Sequence, residues 1–153
     1  MMIDYFKLRE SAKDPVRANP SDAGLDIFWC PEDNNNLIQE IKPLESVVLQ
    51  TGLKFGVPHG FMLEVKNRSS MAAKKQLVVG ACVIDPGYNG ELLINLHNIG
   101  NETRVIKPGD KIAQVVMLPV IHFRARKLMT DTLYSSNICI SNRGAGGFGS
   151  TGG

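Results

Sequence analysis

Residues 46–66 read SVVLQTGLKFGVPHGFMLEVK, three short runs of β-branched, aliphatic and aromatic residues broken at Gly52 and at Pro58-His59-Gly60. Runs of that length suit strands and are too short for stable helices, and the breaks are turn-forming residues. The same punctuation recurs at Pro43, Pro86-Gly87, Gly100, Pro108-Gly109 and Pro119. Strands are predicted over 3–8, 25–29, 37–41, 46–51, 53–57, 61–66, 77–84, 91–97, 103–106, 111–118 and 121–126. Many short strands at this spacing, with no alternating helical segments, predict an all-β protein of the jelly-roll type.

One stretch departs from the pattern. Ser69-Ser70-Met71-Ala72-Ala73-Lys74-Lys75-Gln76 puts hydroxyl residues ahead of good helix formers and cations at the far end, which predicts one short helix. The last thirteen residues hold six glycines around Arg143, Phe148, Ser150 and Thr151 and cannot pack as a core element. The domain organisation expected is therefore a β-domain over 1–140 followed by a flexible Gly-rich segment over 141–153.

Composition narrows the function classes. A chain of 153 residues with 43% apolar content supports one core, and 17 Lys plus Arg against 15 Asp plus Glu leave too little net charge for a nonspecific nucleic-acid coat. Three separated cysteines, Cys30, Cys82 and Cys139, build neither a disulfide framework nor a Cys-x-x-Cys knuckle. Charges occupy the first ten residues, and Pro119 interrupts the longest apolar run, so no signal peptide or membrane span is expected. A cytoplasmic protein is the expectation. Phosphate-binding Gly-x-x-x-x-Gly-Lys, Gly-x-Ser-x-Gly and His-Glu-x-x-His motifs are absent, and His59, His97 and His122 lack ligand spacing.

Five polar clusters remain, each at a turn. In Ser21-Asp22-Ala23-Gly24-Leu25-Asp26, Asp26 interrupts an apolar strand and either faces outward or is held for a cation. Asn67-Arg68-Ser69-Ser70 stands where a strand meets the predicted helix, and suits either an anion or an ordinary helix cap. Val83-Ile84-Asp85-Pro86-Gly87-Tyr88-Asn89-Gly90-Glu91 reads as a hairpin turn, with a carboxylate able to aim a water and a ring able to face a sugar or base. Pro108-Gly109-Asp110-Lys111-Ile112-Ala113-Gln114 leads into a long apolar strand in which Gln114 needs a partner, from ligand or backbone. The fifth is Arg143-Gly144-Ala145-Gly146-Gly147-Phe148-Gly149-Ser150-Thr151-Gly152.

In order and spacing these five segments, spanning most of the chain, resemble the motifs of the trimeric deoxyuridine triphosphate nucleotidohydrolases, the dUTPases. The resemblance implies a jelly-roll, β-clip barrel that assembles as a homotrimer, with each active site drawing on three chains. It implies hydrolysis of dUTP to dUMP and pyrophosphate by water attack on the α-phosphorus with Mg²⁺, which keeps uracil out of DNA and supplies dUMP for thymidylate synthesis. Asp85 would orient the water. Arg68, Ser69, Ser70 and Gln114 would hold phosphates, and Asp26 would act on Mg²⁺ through its water shell.

Backbone groups around Ala81, Val83 and Ile84 would read uracil, and Tyr88 would stack on deoxyribose and exclude a 2′-hydroxyl. Phe148 would cover the base as the tail closes, with Arg143, Gly149, Ser150 and Thr151 reaching the phosphates. Glycine suits such a tail because free N–H groups form anion nests. Two features depart from the family pattern. Cys82 stands where the hairpin usually has Gly, and either narrows the uracil pocket or faces the core. The connector over 121–142 carries Arg124, Arg126 and Lys127 in a region usually more acidic.

Two rivals share the scaffold. A deoxycytidine triphosphate deaminase would have Trp at Tyr88 and a catalytic Glu at Asn95, and would lack the Gly-rich tail. A nonenzymatic dUTP sensor would bind the nucleotide without releasing pyrophosphate.

Overall fold

The computed structural model describes residues 1–33 and 37–134. The described residues form eleven strands and one helix: β1 (Asp4–Lys7), β2 (Leu25–Phe28), β3 (Gln39–Ile41), β4 (Ser46–Gln50), β5 (Leu53–Gly56), β6 (Phe61–Lys66), α1 (Ser69–Lys75), β7 (Leu77–Val79), β8 (Val83–Ile84), β9 (Leu93–Asn98), β10 (Arg104–Ile106) and β11 (Lys111–Pro119). All pairings are antiparallel. The larger sheets run β2-β11-β6-β8 and β4-β9-β7, and two-stranded ribbons β1-β5 and β10-β3 complete the architecture. All-β architecture with one short helix is what the punctuation of the sequence predicts.

The two larger sheets share one hydrophobic core. Ile27, Leu63, Val65 and Val115 from the first pack in the same cluster as Leu49, Ile94, Leu96 and Leu77 from the second. Burial alternates along β9 as the two-residue strand period requires: Ile94, Leu96 and Asn98 point inward, and Leu93, Asn95 and His97 point outward. Asn98 is tolerated inside because its amide donates to the Ile41 and Glu102 carbonyls at 2.8 Å while its oxygen accepts from Gly100 N at 2.9 Å. A second polar anchor ties the hairpin base to the neighbouring turn. Glu91 accepts from the Thr51 and Gly52 amides at 3.1 and 2.7 Å and pairs with Arg9. Gly52 is required there: its φ is +70°, and a Cβ would lie 2.7 Å from that of Ala12.

Three sequence expectations need correction. The strand predicted over 77–84 is two strands in different sheets, with Gly80-Ala81-Cys82 crossing between β7 and β8. No strand forms over 121–126. β11 ends at Pro119, the backbone of Val120 makes one bond to the Gly60 carbonyl, and Ile121 and Phe123 are 86% and 87% exposed, with no strand among the described residues paired to them. The strand at 37–41 forms only from Gln39, with Leu37 and Ile38 exposed. Strands and core lie within the compact unit Met1–His122, and Phe123–Gly153 clusters as a second unit. The predicted boundary at 140/141 and the Gly-rich segment lie outside the described residues.

Candidate functional site

Register assembles the first half of the site. Antiparallel pairing sets Gln114 of β11 opposite Asp26 of β2 on one side and Lys66 of β6 on the other. The chain leaving β6 therefore delivers Asn67 and Arg68 to the same place, and Gln114 Nε2 donates to the Asn67 carbonyl at 2.9 Å. That bond satisfies one hydrogen of the Gln114 amide with backbone; Nε2 carries a second. Gly24 makes room, since a Cβ there would lie 2.4 Å from Gln114 Oε1.

Asp26 faces this cluster. It is 9% exposed, and its two oxygens pair separately with Arg68 Nε at 2.8 Å and Lys111 Nζ at 2.7 Å. Lys111 arrives through a β-bulge, because the register slips between Lys111 and Ala113, so that Lys111 stands opposite Phe28 while Ala113 stands opposite Ile27. Strict alternation would put Lys111 and Gln114, three residues apart, on opposite faces. The bulge puts both on the face of Asp26, which is why the sequence pattern did not single out Lys111.

Burial by itself would push the Asp26 carboxyl up. Hydrogen bonds from Lys111 and Arg68 outweigh that and hold it below its ordinary value. Each oxygen accepts one cationic N–H and retains a lone pair, and two adjacent cations disfavour a directly bound metal. The donor set fits a water-mediated metal contact and no closer one. Among the described residues no group of three His, Cys, Asp or Glu side chains is placed to hold a metal ion.

Ser69 and Ser70 occupy the first turn of α1 and are exposed, while Arg68 is the N-cap and makes no side-chain cap bond. Neither serine caps the helix, contrary to the simple capping reading. Ser70 Oγ lies 3.5 Å from Arg68 Nη1, at the outer limit of a hydrogen bond.

The second half of the site is the hairpin over 83–92. β8 is the end strand of its sheet. Val65 N donates to the Cys82 carbonyl and Leu63 stands opposite Ile84, so the intervening Val83 directs its N–H and C=O away from β6, onto the open edge. One residue thus offers a donor and an acceptor side by side. Cys82 is half-buried and packs against the core, which answers the question its position raised. Ala81 and Val83 are exposed and Ile84 is half-buried.

Asp85 is exposed, and its carbonyl accepts from Tyr88 N at 3.3 Å across a turn in which Gly87 has φ +83°. Tyr88, 45% exposed, donates its hydroxyl to the Glu91 carbonyl at 3.0 Å. Its ring folds over Gly90, where a Cβ would meet the ring hydroxyl at 2.3 Å. Among the described residues no hydrogen bond or ion pair joins Asp85 or Tyr88 to Arg68, Ser69, Ser70 or Gln114. Arg143, Phe148, Gly149, Ser150 and Thr151 lie outside the described residues.

The Asp26 network has a definite pH signature. A carboxyl held below its unfolded value of about 3.9 contributes stability above that pH and loses it as pH falls through the folded value. The Asp26→Asn variant is expected to be less stable than the parent at pH 7, by about 2 kcal/mol, because it leaves two cations without their anion. Urea unfolding at pH 7 and pH 3 should show that gap narrowing on acidification; a gap independent of pH would contradict the assignment.

Comparison with known proteins gives one family. The dUTPase family model matches residues 10–152. A deoxyuridine 5′-triphosphate nucleotidohydrolase of Desulfitobacterium hafniense is 39% identical over 98% of this chain and 94% of its own, and that of Hydrogenobaculum is 34% identical over 99% of both. Among solved structures, the dUTPase of Staphylococcus bacteriophage 80alpha with dUpNHpp superposes with a TM-score of 0.82 at 25% identity, covering 99% of this chain and 98% of its own. A mutant dUTPase from phage phi11 of S. aureus, described for its coordination of a structural Mg(II) ion, gives 0.74 at 25% identity over 86% of this chain and 99% of its own. With a family match across nearly the whole sequence and relatives alike from end to end, the chain belongs to the dUTPases, the enzymes that hydrolyse deoxyuridine 5′-triphosphate.

Proposed function

We propose that the two half-sites hydrolyse dUTP to dUMP and pyrophosphate by directing a water at the α-phosphorus, with Asp85 as its orienting base. The observation that carries this reading is the corner where Arg68, Ser69, Ser70 and Gln114 converge beside Asp26 and Lys111, a set of donors and cations suited to a polyphosphate. Asp85 stands exposed at a hairpin whose open edge offers Val83 N–H and C=O to a nucleobase. Tyr88, on the same hairpin, would lie on deoxyribose and exclude a 2′-hydroxyl.

Asp85 acts by orienting the water, and positioning and charge neutralisation supply most of the acceleration. Arg68 contributes a planar guanidinium to the phosphates, and Asp26 fixes its orientation through Nε. Asp26 would reach a Mg²⁺ ion through water, and the ion would supply further neutralisation of the charge on the leaving pyrophosphate. Arg143, Phe148, Gly149, Ser150 and Thr151 are assigned to closing over the bound nucleotide, and the 141–153 segment to acting as a lid.

A homotrimer in which neighbouring copies complete each site is part of this reading. Exposed Val48 and Leu93 on β4 and β9 give such an assembly apolar surface to bury. A cytoplasmic location, with no membrane or nucleic-acid partner, fits nucleotide chemistry.

Pyrophosphate release should be confined to dUTP when dCTP, dTTP and UTP are run beside it with Mg²⁺. Asp85→Asn should retain nucleotide binding and lose turnover by about 10²-fold or more; unchanged turnover would remove Asp85 from the mechanism. Light scattering should give about three times the chain mass of 16.7 kDa, and a fully active monomer would exclude shared sites.

A further inference from the structure

One polar pair that the mechanism leaves unused lies against the base-reading strand. On the outward face of β9, Asn95 Oδ1 accepts from Ala81 N at 3.3 Å and lies 2.9 Å from His97 Nε2, while Asn95 Nδ2 donates to the Val47 carbonyl at 3.1 Å. The neighbouring outward residues on the adjoining strands are Val48 and Val78, so the pair stands between apolar neighbours.

These contacts fix the chemistry of both side chains. Val47 C=O can only accept and Ala81 N–H can only donate, so the amide fits one way round and the atom facing His97 is oxygen. His97 Nε2 therefore carries a hydrogen. Both lone pairs of Oδ1 are spent, and one amide hydrogen is spent on Val47. What Asn95 has left to offer is a single N–H.

The approach to β8 is built around this pair. At Gly80 a Cβ would lie 2.2 Å from Asn95 Oδ1 and 2.3 Å from His97 Nε2, so a larger residue would displace the pair. Gly80 N donates to the Asn95 carbonyl at 3.0 Å, and the Cys82 carbonyl accepts from Val65 on the other side. The peptide run into Val83 is thus pinned from β9 and from β6 together.

We propose that Asn95, oriented by His97, is a positioning and specificity-determining residue for the base. It holds Gly80 and Ala81 so that the Val83 edge is preset, and it offers the base a donor and no acceptor. A 4-keto pyrimidine has an oxygen for that N–H, whereas a 4-amino pyrimidine would set hydrogens against hydrogen. The inference rests on the dUTP reading given above.

Steady-state kinetics with dUTP, and with dCTP as substrate and as competitive inhibitor, test it on the full chain and on Asn95→Asp, Asn95→Ala and His97→Gln. Asn95→Asp keeps the acceptor for Ala81 and His97 but has no N–H, and should reduce the preference for dUTP over dCTP by about 10-fold or more. Asn95→Ala frees the Ala81 amide, and should raise KM for dUTP about 10-fold with kcat changed less than about threefold. His97→Gln keeps an N–H for Oδ1 and should stay near the parent in both. A purely structural role would lower activity toward both nucleotides together and leave their ratio alone. Folded Asn95 variants that keep KM and preference within about twofold would overturn the proposal while the parent's turnover of dUTP leaves the functional reading standing; a parent inactive on dUTP would overturn both.

Discussion

The Asp26 carboxylate, bracketed by Arg68 and Lys111, is the interaction on which the corner proposed for the phosphates depends. An acid that is nine-tenths buried in the middle of a strand is tolerated only with compensating cations, and those cations arrive from two other segments. Arg68 comes from the junction of β6 with α1, and Lys111 from the bulged start of β11. One carboxylate thus fixes three segments relative to each other and leaves the guanidinium with its remaining N–H groups turned to other partners. The ion pair organises a site whose own ligand is anionic, since Asp26 neutralises part of the charge that would otherwise repel Arg68 from Lys111.

The base half follows a different logic. There the proposed recognition groups are the backbone of Val83 and the Asn95 amide, and such groups discriminate only when their position is fixed. β8 is two residues long and stands at the end of its sheet, so its own ladder is a weak constraint. Rigidity comes from outside it: Glu91 and Arg9 tie the hairpin base to the Thr51-Gly52 turn, Tyr88 closes onto the Glu91 carbonyl, and Asn95 holds the incoming peptides. A preset edge binds without the entropy cost of ordering a loop, which favours selectivity over mere affinity.

Much of this was legible in the residues. Turn punctuation located most strands, because Pro and Gly act locally, and the motif order pointed to the family. Arg68, Asp85 and Tyr88 lie at junctions and turns and Gln114 lies within β11. What stayed hidden depends on register. Lys111 joins Asp26 only because a bulge reverses its face, and Asn95 meets Ala81 only because two sheets adjoin at Gly80. Neither is a property of any window of sequence. The strand expected over 121–126 failed for a related reason: apolar alternation indicates a willingness to pair, and among the described residues no strand pairs with Ile121 or Phe123, which are exposed.

The central claim, that water attacks the α-phosphorus, is most directly tested by hydrolysing dUTP in ¹⁸O-enriched water and weighing both products by mass spectrometry. Attack at the α-phosphorus places the heavy oxygen in dUMP and leaves pyrophosphate unlabelled. Label in pyrophosphate with none in dUMP would mean attack at the β-phosphorus, and would contradict the roles given to Asp85 and to the phosphate corner.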